Sequence, residues 1–280
     1  MSVEKKSVAQ KIGVTIIIAA FLLFLLFPLY WMFITSFKDN SVLFNIPPEW
    51  IPLQPVLMHY IELFSDGTFL NYYKNTIIVT LGTTLLTLVL AMLAGYGFSR
   101  FEFKSKEAAM FAILSTQMLP VVSILIALYT MYNSYGLLNN RFGLILALTT
   151  AALPFAIWMI KVFFDNIPIT IEESAKIDGC SRIGILLRIV FPLSKPGIFS
   201  IGIYAFIISW DDFLYSLTLI NKDELRTLNP GISITYMGEF SYDWASIMTV
   251  SVTATLPVVI LFLFFQKFLV SGLTAGAVKE

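Results

Sequence analysis

The chain has 280 residues, of which 58% are hydrophobic and 13% charged, and its formal net charge is zero. Soluble domains carry about 25% charged residues, so this composition indicates a membrane protein. The zero net charge gives no electrostatic footprint for nucleic acid, and one Cys with one His excludes an internal disulfide and a His-based metal site.

Six apolar stretches are predicted to cross the membrane, because a spanning helix needs about 20 predominantly apolar residues. The first is too long for the apolar core of a signal peptide, which has about 7–15 residues, so we expect a retained helix. The third is expected to be one helix with a kink at Pro120 and with Gln117 as its central polar group. The predicted spans are residues 12–35, 75–99, 108–131, 142–160, 198–220 and 244–266.

The distribution of Lys and Arg predicts which side of the membrane each segment faces, because cytoplasmic loops carry an excess of these residues. With the N-terminus inside, the inner segments hold thirteen of the 18 basic residues and the outer loops hold five. The inner ones are Lys5, Lys6, Lys11, Arg100, Lys104, Lys106, Lys161, Lys176, Arg182, Arg188, Lys195, Lys267 and Lys279. The outer ones are Lys38, Lys74, Arg141, Lys222 and Arg226. We therefore expect both termini in the cytoplasm.

The cytoplasmic segment between spans four and five is predicted to form a short helix-turn-helix. Thr170 and Glu173 have the spacing of a capping box, in which each side chain accepts a hydrogen bond from the other residue's amide. Gly179 is expected just past the end of this first helix, and Ser181 can cap a second helix that ends at Pro192. The predicted apolar face of the second helix consists of Ile183, Leu186, Leu187 and Val190.

Span five carries two adjacent acidic residues, Asp211 and Asp212. A carboxylate near the bilayer centre costs about 2.5–3.5 kcal/mol on insertion scales, so it faces protein or water. On a continuous helix, a polar and aromatic face would contain Ser200, Tyr204, Asp211 and Tyr215, with Asp212 beside it. Such a face suits the hydroxyls and C–H surface of a sugar. The alternative is that both carboxylates satisfy neighbouring helices or are wetted at the membrane edge.

The helix-turn-helix resembles the EAA loop of ABC importer permeases, whose pattern is E-A-A-x3-G-x9-I-x-L-P. The matching residues are Glu173, Ser174, Ala175, Gly179 and the run 189–192. The spacing agrees throughout, and the departures, Ser174 and Phe191, keep size or apolarity. The Asp178-Gly179 pair fits the carbohydrate branch of that family. The alternative is a plain amphipathic loop.

Two further segments resemble the same branch. Residues 209–213, with Trp210 followed by Asp211, resemble the W-N-[DE]-F motif of sugar permeases, although Asp replaces the usual Asn. Residues 269–279 are similar to the C-terminal tail of the maltose-type permease subunit, which projects towards paired ATPases. Gly272 and Gly276 make this tail slim enough for a narrow crevice. Without the resemblance, a frayed terminus would be expected.

The resemblance implies an all-α membrane protein with the type I ABC importer permease fold, six transmembrane helices, and cytoplasmic N- and C-termini. It further implies one permease domain over residues 1–280, with a coupling loop at 163–192 and a cytoplasmic tail at 269–280. The implied ATPase-coupling residues are Glu172, Glu173, Ser174, Ala175, Asp178, Gly179, Gly272 and Gly276. The substrate pathway is expected to contain Gln117, Ser200, Tyr204, Asp211, Asp212 and Tyr215. No catalytic or metal-binding residue is predicted.

The same resemblance implies a non-catalytic subunit of the cell membrane that moves a sugar or oligosaccharide into the cytoplasm. The chain lacks a G-x-x-x-x-G-K-[ST] phosphate-binding loop, so ATP and Mg²⁺ are expected on partner subunits. The implied partners are a second permease in a heterodimer, two ATP-binding subunits and an extracytoplasmic solute-binding protein.

Two other classes of function stay open at the level of sequence. A secondary transporter would use Asp211 or Asp212 as a proton site. Few ionisable groups lie inside the predicted spans, and no matching pair of broken helices is evident, which argues weakly against that class. A scaffold that anchors ATPases would show no solute flux in any assembly.

Overall fold

The computed structural model describes residues 8–236 and 243–275, and every regular element in this part of the chain is helical. Four helices are long and apolar enough to cross a membrane. They are α1 (Val8–Thr35), α3 (Gly67–Arg100), α6 (Arg141–Asp165) and α13 (Trp244–Ala275). These helices confirm predicted spans one, two, four and six, and each of them extends beyond the predicted apolar stretch.

The two remaining spans are bent pairs of helices. In the first pair, α4 (Lys106–Ser115) continues as a 3-10 turn (Thr116–Met118), and α5 (Val121–Ser134) follows at an angle of 98°. The prediction of one kinked helix is therefore wrong, because Pro120 has a ψ of 126° and precedes a new helix. In the second pair, the segment Arg182–Leu193 meets α10 (Lys195–Trp210) at 84°. Counting each pair as one span gives six.

Shorter helices lie between these spans, and three short helical pieces make up the segment Arg182–Leu193 of the second bent pair. They are α2 (Met58–Ser65), α7 (Ile169–Ile177), α8 (Arg182–Ile185), α9 (Phe191–Leu193), α11 (Leu214–Leu219) and α12 (Leu228–Tyr236), with a π-helical turn at Leu186–Val190 and further 3-10 turns at Asn40–Val42 and Asp223–Leu225. The predicted loop over residues 221–243 thus contains a helix, α12. The last predicted span, 244–266, has the same bounds as the candidate membrane span, and α13 continues beyond it to Ala275.

The chain groups into two compact units, Met1–Gly67 with Ile232–Thr255, and Thr68–Gly231 with Leu256–Glu280. In the first unit, the segment after α1 contacts the start of α13. The Asn40 side chain donates to Asp243 Oδ1 over 2.6 Å and accepts from the Ala245 amide. The most apolar part of α1 contains no buried residue. The apolar surface of α1 is thus available to lipid or to another subunit.

In the second unit, α3 and α10 pack closely against α6. A Cβ added at Gly95 of α3 would lie 2.3 Å from Ile160 Cγ2, and one at Gly197 of α10 would lie 2.4 Å from the Phe163 ring. Only glycine permits these approaches, as is usual between membrane helices. The buried core at this end includes Ala91, Ala156, Ile160, Phe164, Ala175, Ile185, Val190 and Ile201. The core therefore holds α7 and the segment after it against the long helices.

Candidate coupling site and transport cavity

The α7 helix is short and has defined ends. Pro168 occupies its N-cap position and the helix begins at Ile169. Thr170 therefore lies inside the first turn, where its carbonyl accepts from Ser174 Oγ. The predicted capping box between Thr170 and Glu173 is wrong, because a residue already in the helix cannot cap it.

The other end of α7 agrees with the prediction. Gly179 has a φ of +84°, which glycine adopts without a side-chain clash. Its amide donates to the Lys176 carbonyl, and the Cys180 amide donates to the Ala175 carbonyl over 2.9 Å. These two bonds are the Schellman arrangement that satisfies the last carbonyls of a helix. The turn after α7 is therefore rigid.

Glu172 fastens α7 to the long helices of its own chain. It is 1% exposed, and its Oε1 lies 2.6 Å from Arg100 Nε at the end of α3. Its Oε2 accepts from the Tyr96 hydroxyl over 2.8 Å. Arg100 Nη2 also donates to the carbonyls of Phe164 and Ile167, at the end of α6 and just after it. One guanidinium thus joins α3, α6 and α7.

The predicted coupling residues of α7 divide between two faces. Glu172 and Ala175 are buried, and Ala175 belongs to the core described above. Glu173, Ser174, Asp178 and Gly179 are exposed. Glu172 holds α7 in place and is not accessible to a partner protein. Glu173, beside it, is exposed and is accessible to one.

The second helix of this segment begins as predicted and packs differently. Ser181 Oγ accepts from the Gly184 amide, which confirms the predicted cap. Ile183 and Leu187 are 70% and 57% exposed, so they do not form the buried face. The buried residues are Ile185, Leu186 and Val190, so the predicted apolar face is wrong at Ile183 and Leu187. For Leu187 the reason is the π-helical turn at Leu186–Val190, which changes the angular spacing of the residues. Pro192 lies within the helical run, which ends at Leu193.

The second site is a break between α10 and α11 at residues 211–213. The α10 helix ends at Trp210, and the Asn229 side chain donates to the carbonyls of Trp210 and Asp212. Asp212 then accepts from the Tyr215 amide and from the amide and hydroxyl of Ser216. Irregular backbone in a membrane protein needs such partners, since lipid supplies none.

A cavity of about 930 Å³ lies beside this break, within the second unit, and we call it the transport cavity. It opens between α10, α11, the bent pair α4–α5 and α6. Its polar lining residues are Thr116, Gln117, Thr150, Tyr204, Asp211, Asp212 and Tyr215. Its apolar lining includes Ile124, Leu148, Leu153, Pro154 and Phe213. A cavity of this size with a few convergent polar groups is suited to a small organic ligand.

Five of the six predicted pathway residues line the transport cavity. The exception is Ser200, which is 3% exposed and donates to the Pro196 carbonyl one turn earlier. The continuous polar face assumed for span five does not exist, because the helix stops before Asp211. Gln117 lies on the 3-10 turn between α4 and α5, where its Nε2 donates to the Ala151 carbonyl over 2.8 Å.

Arg100, Tyr96 and Asn229 were missed at the level of sequence. The first two contact Glu172 from more than seventy residues away, so no local spacing could reveal them. Asn229 precedes Pro230 in a polar stretch, so no local pattern indicated its contacts with Trp210 and Asp212. The tail residue Gly272 lies within α13, whereas Gly276 lies outside the described residues. In the described part of the chain, no cluster of three His, Cys, Asp or Glu residues could hold a metal ion.

Residues 87–275 match the family model described as "Binding-protein-dependent transport system inner membrane component". The chain belongs to this family. It is therefore a membrane-spanning, non-catalytic permease subunit of a binding-protein-dependent ABC importer, located in the inner membrane. The match includes both sites described above, from α3 to the end of α13.

Individual relatives cover almost the whole chain. It is 39% identical to the sulfoquinovosyl glycerol transport system permease protein SmoH of Agrobacterium fabrum, over 91% of this chain and 89% of the relative. It is 35% identical to the trehalose/maltose transport system permease protein MalG of Thermococcus litoralis, over 91% of each chain. The fold resembles a chain in the crystal structure of a bacterial ABC transporter involved in the import of the acidic polysaccharide alginate. The TM-score is 0.83 at 22% sequence identity, and the superposition covers 95% of this chain and 99% of the other.

Proposed function

We propose that this permease moves a sugar or oligosaccharide into the cytoplasm through the transport cavity. The observation that carries the proposal is the lining of that cavity, where two tyrosines, an amide and carboxylates project among apolar residues. Carboxylate and amide oxygens accept from sugar hydroxyls, and aromatic rings offer a face to the C–H side of a pyranose. The relatives' names, which refer to trehalose, maltose and a sulfoquinovosyl glycoside, support the same class of substrate.

We place the chain in a complex with a second permease, two ATP-binding subunits and an extracytoplasmic binding protein. ATP and Mg²⁺ belong to the ATP-binding subunits. The most apolar part of α1 contains no buried residue, which supports contact of this helix with another membrane subunit. The excess of Lys and Arg on the predicted inner segments supports a cytoplasmic position for α7.

The α7 helix is the proposed contact with an ATP-binding subunit. Its outer face presents Glu173, Ser174, Asp178 and Gly179, all exposed. Its inner face is fixed through Glu172 to Arg100, so a displacement of α7 displaces the ends of α3 and α6. Closure of the ATP-binding subunits would in this way rock the helices that line the transport cavity, and ATP hydrolysis would reset them.

Residues 269–280 are proposed as a second contact with the ATP-binding subunits. Gly272 and Gly276 are the slim positions of this tail. Deletion of residues 272–280 removes no complete span, so membrane insertion is expected to survive while transport-linked ATP hydrolysis falls. Hydrolysis and uptake equal to those of the parent complex would contradict a role for the tail.

The direct test of saccharide import is reconstitution of the complete complex in proteoliposomes. We expect uptake of a radiolabelled saccharide that requires ATP and the binding protein and that persists with a protonophore. Complexes that lack this chain are the control. Uptake that is insensitive to ATP depletion and abolished by the protonophore would contradict the proposal and favour a proton-coupled transporter.

A further inference from the structure

The loop that follows α1 exposes many large apolar side chains. Residues 43–58, which we call the apolar loop, contain a single charged residue, Glu49. Ile46 is 96% exposed and Leu53 is 82% exposed. The other exposed large apolar residues of the loop are Phe44, Trp50, Ile51, Leu57 and Met58. A concentration of exposed apolar side chains of this kind marks a surface that contacts a membrane or another protein.

The apolar loop folds back along α1. The Trp50 ring lies 5.7 Å from the ring of Trp31 and 6.1 Å from the ring of Phe27, and the Tyr30 hydroxyl donates to the Trp50 carbonyl. The candidate membrane span of α1 ends at Thr35. At about 1.5 Å per residue, Trp31 and Phe27 lie about 6 and about 12 Å before that end. The loop therefore returns to the level of the last two turns of the span.

Polar contacts within the same compact unit hold the loop in this position. Lys38 is 2% exposed, and its Nζ donates to the Glu49 carbonyl and lies 4.5 Å from the centroid of the Trp31 ring. At the other end of the loop, the Val56 amide donates to the Phe37 carbonyl over 2.8 Å. The loop is thus fastened to the end of α1 by residues on both sides of Trp50.

The composition of the loop suits the boundary between lipid and water. Trp and Tyr are enriched at this boundary, and Tyr30, Trp31 and Trp50 lie together here. Lipid chains accept no hydrogen bond from a backbone amide, and proline has no amide hydrogen to leave unpaired. The loop contains four prolines, Pro47, Pro48, Pro52 and Pro55. Side chains at the level of the span are also out of reach of a binding protein in the aqueous phase.

We infer that the apolar loop is seated in the outer leaflet of the membrane, where lipid covers its exposed side chains, and that it anchors the outer end of α1. The outer side follows from the orientation predicted from Lys and Arg. Contact of α1 with another subunit is compatible with this anchor, since a helix can contact protein along one face and lipid along another. The inference goes beyond the proposed function and does not depend on the transported substrate.

The test identifies what covers the loop by photocrosslinking. The complete complex is assembled in nanodiscs of phosphatidylethanolamine and phosphatidylglycerol, with and without the binding protein. A genetically encoded benzophenone amino acid replaces Leu53 or Ile51, two loop positions that serve as independent probes. The matched control carries it in place of Lys222, which is exposed on another predicted outer segment. Mass spectrometry of the irradiated complexes separates lipid adducts from crosslinks to each protein subunit.

We expect lipid adducts to be the main products at Leu53 and Ile51, both with and without the binding protein. Their yield should exceed that at Lys222 at least about tenfold, since apolar surroundings are favoured by that factor or more for a large apolar side chain.

A lipid-adduct yield at the two loop positions no greater than that at Lys222 would overturn the inference. So would a main product that joins the loop to the second permease or to the binding protein, because a protein would then cover it. Neither result bears on saccharide import, which the ATP-dependent uptake in proteoliposomes tests separately.

Discussion

The coupling site and the transport cavity each contain two adjacent acidic residues, and in both pairs one carboxylate is held by the protein while the other is exposed. Glu172 is buried against Arg100 and Tyr96, and Glu173 beside it is exposed. Asp212 is bonded to Tyr215 and Ser216, and Asp211 beside it is exposed. The held carboxylate fixes the local backbone, and its neighbour is thereby presented in a defined position.

The two pairs differ in how the held carboxylate is compensated. Glu172 is paired with a cation from a distant helix, so the pair is neutral and joins three helices. Asp212 is hydrogen-bonded by neutral donors within four residues, so the structure that it holds is local. The proposed coupling site is thus connected to distant helices, whereas the break beside the cavity is held by residues close in sequence.

The largest expected effect is that of Arg100→Met. It leaves Glu172 buried without a cation, and breaking a buried pair in this way costs about 3–5 kcal/mol. We expect a lower unfolding temperature and a lower yield of assembled complex. The double variant with Glu172→Gln should recover part of the loss, since the unpaired charge is then gone. The control is Lys161→Met, which removes the cation of the Lys161–Asp165 ion pair. This pair is more exposed than the pair of Arg100 with Glu172, so its loss should cost about 0–1 kcal/mol.

A destabilisation by Arg100→Met no greater than that of the Lys161 control would show that Glu172 is not held by its cation. The contrast between the two pairs would then disappear.

Glu173→Lys should have the next largest effect, and in a different measurement. We expect Glu173 to face a basic residue of the ATP-binding subunit, and loss of one partner of such a buried interfacial charge pair costs about 2–5 kcal/mol. We expect the ATP-binding subunits to dissociate or to hydrolyse ATP without transport, while the unfolding temperature of the permease stays at the parent value. Lys176→Glu, on the same helix, controls for a general effect of charge. Normal co-purification and transport in the Glu173→Lys complex would remove that residue from the proposed interface.

Asp212→Ala should have a smaller and local effect. It removes the acceptor for the first amides of α11, and loss of a capping side chain costs about 0.5–2 kcal/mol. Hydrogen exchange at the amides of Tyr215 and Ser216 should accelerate, while exchange in α7 stays unchanged. Asp212→Asn retains a capping acceptor and should recover most of the protection. Unaltered exchange at both amides in Asp212→Ala would mean that the break does not depend on this side chain.

The sequence predicts the continuous spans, the C-terminal end of α7 and the start of α8, which depend on local chemistry. Apolar length is sufficient for α1, α3, α6 and α13. Gly179 and Ser181 were correctly predicted, because a helix end is determined by a few neighbouring residues. The predicted apolar face of this segment was wrong at Ile183 and at Leu187, and at Leu187 a π-helical turn interrupts the assumed period of 3.6 residues.

The remaining features depend on contacts that are distant in sequence. Pro120 indicates a break in span three, but the angle of 98° depends on packing, including the bond from Gln117 to Ala151. The end of α10 before Asp211 is stabilised by Asn229, which lies on another helix. The ion pair of Glu172 with Arg100 likewise joins residues that local patterns do not connect.

The central claim is that each acidic pair divides into one carboxylate that maintains structure and one that functions. The most direct test replaces Glu172, Glu173, Asp211 and Asp212 singly by Ala and measures, for each assembled complex, both the unfolding temperature and the ATP-driven uptake of a saccharide. The account predicts a lower unfolding temperature for the variants at Glu172 and Asp212. It predicts an unchanged unfolding temperature with altered uptake per complex for the variants at Glu173 and Asp211. The opposite assignment, or equal effects within each pair, would contradict it.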